Sequence, residues 1–253
     1  MTVELHYVDE GPRDAPVLVL AGSLGSTLEM WRPQASLTDT FRVIRIDHRG
    51  HGGSPVPPGP YRMPDLAADS LALLDSLGLD RVAWCGLSLG GMVGMYLGSE
   101  APERLTSLTL CCTTAHFPDP QPWIDRIASV REGGTGAVAA GTVARWFTPE
   151  YAERNPVVVA EAVGMVTATD DAGYLACCQA IEAWDHRERL PAVAVPTLVI
   201  GGSADPSTPV EPHSRTLVDG IPGARLAVVD GAHLATIERA EETTALIAEH
   251  AAP

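Results

Sequence analysis

Short apolar runs alternate with amphipathic segments along most of the chain. Segments Leu66–Leu77, Met92–Gly98 and Glu238–His250 repeat apolar residues at helical spacing. Between them, six runs have the length and composition of β-strands: Val17–Ala21, Phe41–Ile46, Arg81–Cys85, Leu105–Cys111, Thr197–Gly201 and Arg225–Val229. Several are almost continuously apolar, which is typical of strands covered on both faces. The pattern predicts an α/β fold with a mostly parallel central sheet flanked by helices and joined by right-handed crossovers.

The alternation stops between about residues 113 and 189. This stretch is helical in pattern, carries Trp123, Trp146 and Trp184, and contains no convincing strand. Prolines mark both of its ends. We therefore predict a core domain made of residues 1–112 and 190–253, with residues 113–189 inserted as a helical cap.

Charge and composition narrow the function classes. The 253 residues hold 17 Arg, no Lys and 32 acidic residues, which gives a net charge of -15. Nucleic acid and anionic membranes both need a basic surface, so neither is an expected partner. The missing Lys excludes P-loop NTPases, protein kinases, Schiff-base enzymes and Ser-Lys hydrolases.

The cysteines and the N-terminus indicate a compartment. Five Cys residues, two pairs of them adjacent, fit neither a disulfide framework nor zinc spacing, and we expect buried free thiols in a reducing cytosol. The chain shows no signal pattern and no apolar run near the ~18 residues of a membrane span. We predict a cytoplasmic protein, and no His, Cys and Asp cluster suggests a metal or another cofactor.

A candidate nucleophile stands in the motif Gly86-Leu-Ser88-Leu-Gly90, which follows a predicted strand and opens a helix. A turn this sharp needs small residues at both motif ends, because a Cβ atom there would collide with neighbouring elements. The turn holds Ser88 at the carboxyl edge of the sheet, where open α/β folds bind ligands.

The hydroxyl of Ser88 needs a base, and the base needs an acid that orients it. Among eight His residues, only His233 lies just beyond the last strand, so its loop reaches the same sheet edge. Asp205 follows the preceding strand, whereas Asp230 is too close to His233 along the chain to orient its ring. We predict Ser88, Asp205 and His233 as a catalytic triad.

Two backbone N–H groups should stabilise the oxyanion of the reaction. One is that of Leu89, which follows the nucleophile. The other comes from the loop Gly22-Ser-Leu-Gly25 after the first core strand, where we predict Ser23, with Leu24 as the alternative.

These motifs together resemble the α/β-hydrolase superfamily: Ala21-Gly-Ser-Leu-Gly25, Asp47-His-Arg-Gly-His-Gly-Gly-Ser54, Gly86-Leu-Ser-Leu-Gly-Gly91 and the late Asp and His. Four cap and core segments are similar to 3-oxoadipate enol-lactonases: Gly86-Leu-Ser-Leu-Gly-Gly-Met-Val-Gly-Met95, Arg145-Trp-Phe-Thr-Pro-Glu150, Gly173-Tyr-Leu-Ala-Cys-Cys-Gln-Ala-Ile181 and Val195-Pro-Thr-Leu-Val-Ile200. The resemblance implies cofactor-free opening of 3-oxoadipate enol-lactone to 3-oxoadipate through an acyl-enzyme on Ser88, within the β-ketoadipate pathway of aromatic-compound catabolism.

Such a lactone carries a free carboxylate, which needs a paired cation in a dry pocket. Without Lys, that cation must be an Arg or a His. The cap offers six Arg residues: Arg126, Arg131, Arg145, Arg154, Arg187 and Arg189. We predict Arg145 as the substrate-binding residue, because its neighbour Trp146 could stack on a planar ring, and we keep His116 and Arg126 in reserve.

Two other functions remain open from the sequence. Another hydrolase of the same fold, either a carboxylesterase or a carbon–carbon bond hydrolase, would use the same three residues. A non-enzymatic binding protein on this fold would not need them. Haloalkane dehalogenases and epoxide hydrolases are disfavoured, since they use Asp where Ser88 stands.

Overall fold

The computed structural model describes residues 1–253 and contains one seven-stranded sheet. Its strands are β1 Tyr7–Glu10, β2 Val17–Ala21, β3 Arg42–Ile46, β4 Val82–Leu87, β5 Leu105–Cys111, β6 Thr197–Gly202 and β7 Arg225–Val229. They lie in the order β1-β3-β2-β4-β5-β6-β7. Only β1 is antiparallel to its neighbour; β2 to β7 are parallel. The predicted mostly parallel sheet is confirmed.

Ten α-helices accompany the sheet: α1 Met63–Ser76, α2 Leu89–Glu100, α3 Gln121–Gly133, α4 Gly136–Val143, α5 Pro149–Arg154, α6 Pro156–Ala168, α7 Asp171–Glu182, α8 Arg215–Gly220, α9 Ala235–Glu238 and α10 Ala240–Ala251. A 3₁₀ segment, Leu28–Asp39, follows β2 and was not predicted. Helix α1 begins three residues before the predicted Leu66. Its start is fixed by Pro64 in the first turn and by the Asp65 carboxylate, which accepts the N–H of Arg62 at 2.8 Å.

The central strands bury both of their faces, as the continuous apolar runs predicted. All six residues of β4 and all six of β6 are buried. Helix α2 packs on β4 and β5, and α10 packs on the same two strands. The five Cys residues are free and buried within this core, which confirms that part of the prediction.

Five helices, α3 to α7, fill the chain between β5 and β6. Helix α3 packs against α4 and α7, and α4 packs against α6. A single antiparallel bridge between His116 and Asp185 joins the two ends of the insertion. These helices lie inside the stretch predicted as a cap, and the exact division at residues 112 and 190 remains a prediction.

The cap and the core meet at a contact between two glycines. Gly50 lies in the turn after β3 and Gly173 lies in the first turns of α7. A Cβ atom built on Gly173 would stand 2.5 Å from the Cα atom of Gly50, and one on Gly50 would stand 2.7 Å from the Cα atom of Gly173. The two backbones therefore abut without side chains between them.

Within the whole chain, no helix has the length and apolar character required to cross a membrane.

Candidate active site

Ser88 stands in a strained turn between β4 and α2. Its backbone has φ 53° and ψ -109°, a conformation that residues with a Cβ atom rarely adopt. A Cβ atom on Gly86 would lie 2.1 Å from the carbonyl oxygen of Gly90, and one on Gly90 would lie 2.2 Å from that of Ala21. Both motif glycines are therefore required by close packing. The N–H of Ser88 donates to the carbonyl of Cys111 at 2.9 Å, which ties the turn to β5.

Asp205 and His233 form a buried pair at the ends of β6 and β7. His233 Nδ1 and Asp205 Oδ2 are 2.8 Å apart, and the two residues are 4% and 3% exposed. The hydroxyl of Thr208 donates to Asp205 Oδ2 at 2.7 Å, and the N–H of Ser207 donates to Oδ1 at 2.8 Å. Burial by itself would raise the pKa of Asp205. The charge of His233 and these hydrogen bonds have a larger, opposite effect, so the pKa of Asp205 falls below its ordinary value.

The three predicted catalytic residues come together at one cavity. Ser88 and His233 both border a cavity of about 500 Å³, and Asp205 lies behind His233. The rejected acid, Asp230, instead pairs with Arg239 at 2.8 Å near the surface. The imidazole of His233 thus lies between the carboxylate of Asp205 and the cavity that Ser88 borders, which is the arrangement expected of a catalytic triad.

The two candidate loop donors for the oxyanion, Ser23 and Leu24, differ in their hydrogen bonds. Both Ser23 and Leu24 border the cavity. The N–H of Ser23 already donates to the Sδ atom of Met30 at 3.4 Å, whereas that of Leu24 has no partner in the protein. The N–H of Leu89 opens helix α2 and has no intrahelical acceptor, since the first N–H groups of any helix lack one. The N–H groups of Leu24 and Leu89 therefore both lack a protein acceptor, and the assignment of the oxyanion donors stays a prediction.

The cap forms the opposite wall of the cavity, and both predicted substrate-binding residues lie in it. Trp146 is buried, and its carbonyl accepts the N–H of Leu234 at 2.9 Å, which anchors the loop that carries His233. Arg145 donates to the carbonyl of Gly141 at 2.6 Å and has no carboxylate partner. Burial, followed by the charge of Arg126, lowers the pKa of Arg145.

A second cationic wall residue, Arg126, was only a reserve choice from the sequence. Its guanidinium carbon lies 4.8 Å from the ring centroid of Trp123, and both residues border the cavity. The two lie three positions apart on α3, so they share a helix face. The three-residue spacing could have linked Arg126 to Trp123 from the sequence. It does not show that this face of α3 points into the cavity.

Two of the other cap cations form ion pairs at the surface. Arg187 pairs with Asp185, and Arg189 pairs with Glu100. The reserve residue His116 lies 3.7 Å from Asp185 and does not border the cavity. Two carboxylates, Asp119 and Asp125, also reach the cavity rim, where Gln121 donates a hydrogen bond to each. Arg126 and Arg145 are therefore the cations of the cavity wall, and neither has a carboxylate partner.

Comparison with known proteins agrees with this geometry. Residues 15–240 match the family model of the alpha/beta hydrolase fold. The chain belongs to that family, and its similarity to enol-lactonases makes it an ester (lactone) hydrolase. It is 37% identical to 3-oxoadipate enol-lactonase 2 of Acinetobacter baylyi over 94% of this chain and 89% of that protein.

Two solved structures are also similar. The enol-lactonase of Burkholderia xenovorans LB400 is 41% identical, with a TM-score of 0.95 over 98% of this chain and 96% of that chain. A thermophilic esterase of Thermogutta terrifontis, solved with malate bound, is 31% identical, with a TM-score of 0.90 over 98% and 92% of the two chains.

Proposed function

We propose that this protein opens 3-oxoadipate enol-lactone to 3-oxoadipate through an acyl-enzyme on Ser88. The observation that carries the proposal is the pairing of His233 with the buried Asp205 at the same cavity that Ser88 borders. The names of the enol-lactonase relatives supply the substrate class.

The reaction begins when Ser88 Oγ attacks the lactone carbonyl carbon and its proton passes to His233. Asp205 steadies the imidazolium through the 2.8 Å contact at Nδ1. The negative oxygen of the tetrahedral intermediate accepts hydrogen bonds from the N–H groups of Leu24 and Leu89. Both donors lie in fixed backbone, so they need no rearrangement as charge develops.

Collapse of the intermediate breaks the bond between the carbonyl carbon and the ring oxygen. That oxygen leaves as an enol and takes the proton held by His233. Because an enol is a better leaving group than an alkoxide, this step demands little of the acid. Water, deprotonated by His233, then attacks the ester carbonyl of Ser88. The bond to Ser88 Oγ breaks, Oγ takes back the proton from His233, and the acid is freed, while the enol tautomerises to the ketone.

The cavity wall matches a substrate that carries a separate carboxylate. Arg145 and Arg126 lie in a protein of net charge -15, yet neither has a carboxylate partner. The charge of Arg126 lowers the pKa of Arg145, and a substrate carboxylate bound between the two would relieve this repulsion. The ring of Trp146 adds a flat apolar surface beside the catalytic residues.

The test compares two substrates in Arg145→Ala. We expect its kcat/KM for the enol-lactone to fall about 30- to 1000-fold, because a buried charge would lose its partner, while its kcat/KM for neutral p-nitrophenyl acetate changes little. Arg187→Ala, which removes a cap cation away from the cavity, is the matched control. Equal losses on both substrates would remove Arg145 from carboxylate recognition.

A general carboxylesterase is the second candidate, favoured by the similarity to the Thermogutta terrifontis esterase. The same wild-type measurements separate the two. An enol-lactonase turns over the enol-lactone with a far higher kcat/KM than p-nitrophenyl acetate, whereas an esterase shows the reverse order. Release of acid in a pH-stat follows both reactions.

A further inference from the structure

A turn of unassigned role lies directly behind the oxyanion loop. It spans residues 47–54, the motif Asp-His-Arg-Gly-His-Gly-Gly-Ser that follows β3. His48 and His51 within it are 3% and 2% exposed, and neither borders the cavity. Two imidazoles buried this deeply take no direct part in the chemistry of Ser88.

His51 contacts the oxyanion loop through a specific hydrogen bond. The N–H of Gly25 donates to His51 Nε2 at 2.9 Å. On the other side of the ring, His51 Nδ1 lies 3.2 Å from the carbonyl of Arg49. Since a carbonyl can only accept, Nδ1 carries the proton and Nε2 keeps its lone pair for Gly25. Burial lowers the pKa of His51, which agrees with a neutral ring.

This bond completes a pattern in the loop. Ser23 N–H donates to Met30 Sδ, Gly25 N–H donates to His51 Nε2, and Ser26 N–H donates to the carbonyl of Ser23. The N–H of Leu24 alone is left without a protein acceptor. Each flanking donor is turned toward the protein interior, which leaves the Leu24 N–H for the cavity that Leu24 borders.

The turn itself is held rigidly, so it can act as a support. The carboxylate of Asp47 accepts the N–H groups of Leu28 at 2.6 Å and Gly53 at 3.0 Å. The hydroxyl of Ser54 donates to the carbonyl of Asp47 at 2.7 Å. From the cap side, Tyr174 packs close to Gly25, where an added Cβ would lie 3.1 Å from its ring.

We propose that His51 is a positioning residue for the oxyanion hole: its neutral Nε2 accepts the N–H of Gly25 and so directs the N–H of Leu24 toward the oxyanion. The inference rests on the proposed serine mechanism. It predicts that loss of the acceptor weakens binding of the transition state more than binding of the substrate.

The experiment replaces the acceptor while keeping the ring volume. In His51→Phe we expect kcat for p-nitrophenyl acetate to fall about 10- to 100-fold, less than the ~10²–10³ typical of a deleted oxyanion donor, with KM within about threefold. His51→Gln, whose amide oxygen reaches the place of Nε2, should recover most of kcat. Inhibition by a small trifluoromethyl ketone, whose hemiketal oxyanion occupies the hole, should weaken in parallel with kcat.

His186→Phe is the matched control, because His186 is also a buried imidazole with one hydrogen bond, to Ser99 Oγ at 2.9 Å, far from this loop. It should lower the melting temperature and leave kcat unchanged. Wild-type kcat in folded His51→Phe, or an equal loss of kcat in His186→Phe, overturns the proposal.

Two further variants keep the test decisive. If His51→Phe does not fold, His51→Asn replaces it, since its amide ends near Nδ1 and cannot reach Gly25; kcat equal to that of His51→Gln then overturns the proposal. Failure of the serine mechanism is seen separately, as turnover that persists in Ser88→Ala.

Discussion

Ser88 combines a reactive position with an unfavourable backbone. Its positive φ is retained because Gly86 and Gly90 leave no room for the turn to relax, and because its N–H and carbonyl are both bonded to the β5 edge. Thr113 Oγ1 donates to that carbonyl at 2.7 Å. The hydroxyl itself takes no part in holding the turn, so the side chain can be removed without disturbing the fold.

Ser88→Ala therefore tests the chemistry alone. We expect kcat/KM for the enol-lactone to fall by roughly 10³-fold or more, since the nucleophile is lost, while circular dichroism and the melting temperature stay as in the wild type. A fluorophosphonate probe should label the wild type and not the variant. Turnover by folded Ser88→Ala within tenfold of wild type would contradict the assigned nucleophile.

Residue order along the chain was sufficient to predict which side chains meet at the sheet edge. Ser88, Asp205 and His233 each follow a parallel strand, and parallel strands end at one edge. Sequence could not show that Met30 accepts the N–H of Ser23, because this depends on how the segment Leu28–Asp39 packs against the loop. Likewise, the direction in which Arg126 points depends on how the cap docks, and no local pattern encodes that.

At the scale of elements, the glycines after Ser88 led the sequence to predict the start of helix α2 too late. The sequence predicted the helix from Met92, because Gly90 and Gly91 indicated a longer turn. In the structure α2 begins at Leu89, directly after Ser88. The glycines are present for packing: one on Ala21, the other against Thr113, where an added Cβ would lie 2.7 Å from its side chain. They do not end the helix.

Gly90→Ala and Gly164→Ala compare a helical glycine that close packing requires with one that has no neighbouring atom. The first places a Cβ atom 2.2 Å from the backbone of Ala21, which cannot move without displacing β2, so we expect severe loss of stability or insoluble protein. The second has no atom within 4 Å in α6, so helix propensity should raise the free energy of unfolding by about 0.5–1 kcal/mol. Urea denaturation measures both; an equal response would refute the packing argument.

For the molecule as a whole, buried neutral imidazoles link stability to pH. Burial lowers the pKa of His48 to about 3 and that of His186 to about 4. In the unfolded chain both groups take up a proton near pH ~6.5. Between these values the unfolded state binds more protons, so the stabilisation is complete above pH ~6.5 and is lost as the pH falls toward 4 and then 3.

Urea denaturation at about pH 7.5 and about pH 5 tests this linkage. The free energy of unfolding should be lower at the acidic pH, in a range where carboxylates still stay ionised. In His186→Gln, which has no titrating ring, the difference between the two pH values should shrink. A difference as large as that of the wild type would show that other groups cause the acid sensitivity.

The abutting backbones of Gly50 and Gly173 also bear on how product leaves the enzyme. The glycine contact leaves no side chain between cap and core at that point, and the exposed residues Pro122, Asp125 and Pro206 at the cavity rim open the cavity to solvent. With the cavity already open, we expect product to leave without a movement of the cap, so that release does not limit kcat. Sucrose added as a viscogen should therefore leave kcat unchanged, whereas a proportional fall in kcat with viscosity would show that a diffusive step, either product release or a cap movement, limits turnover.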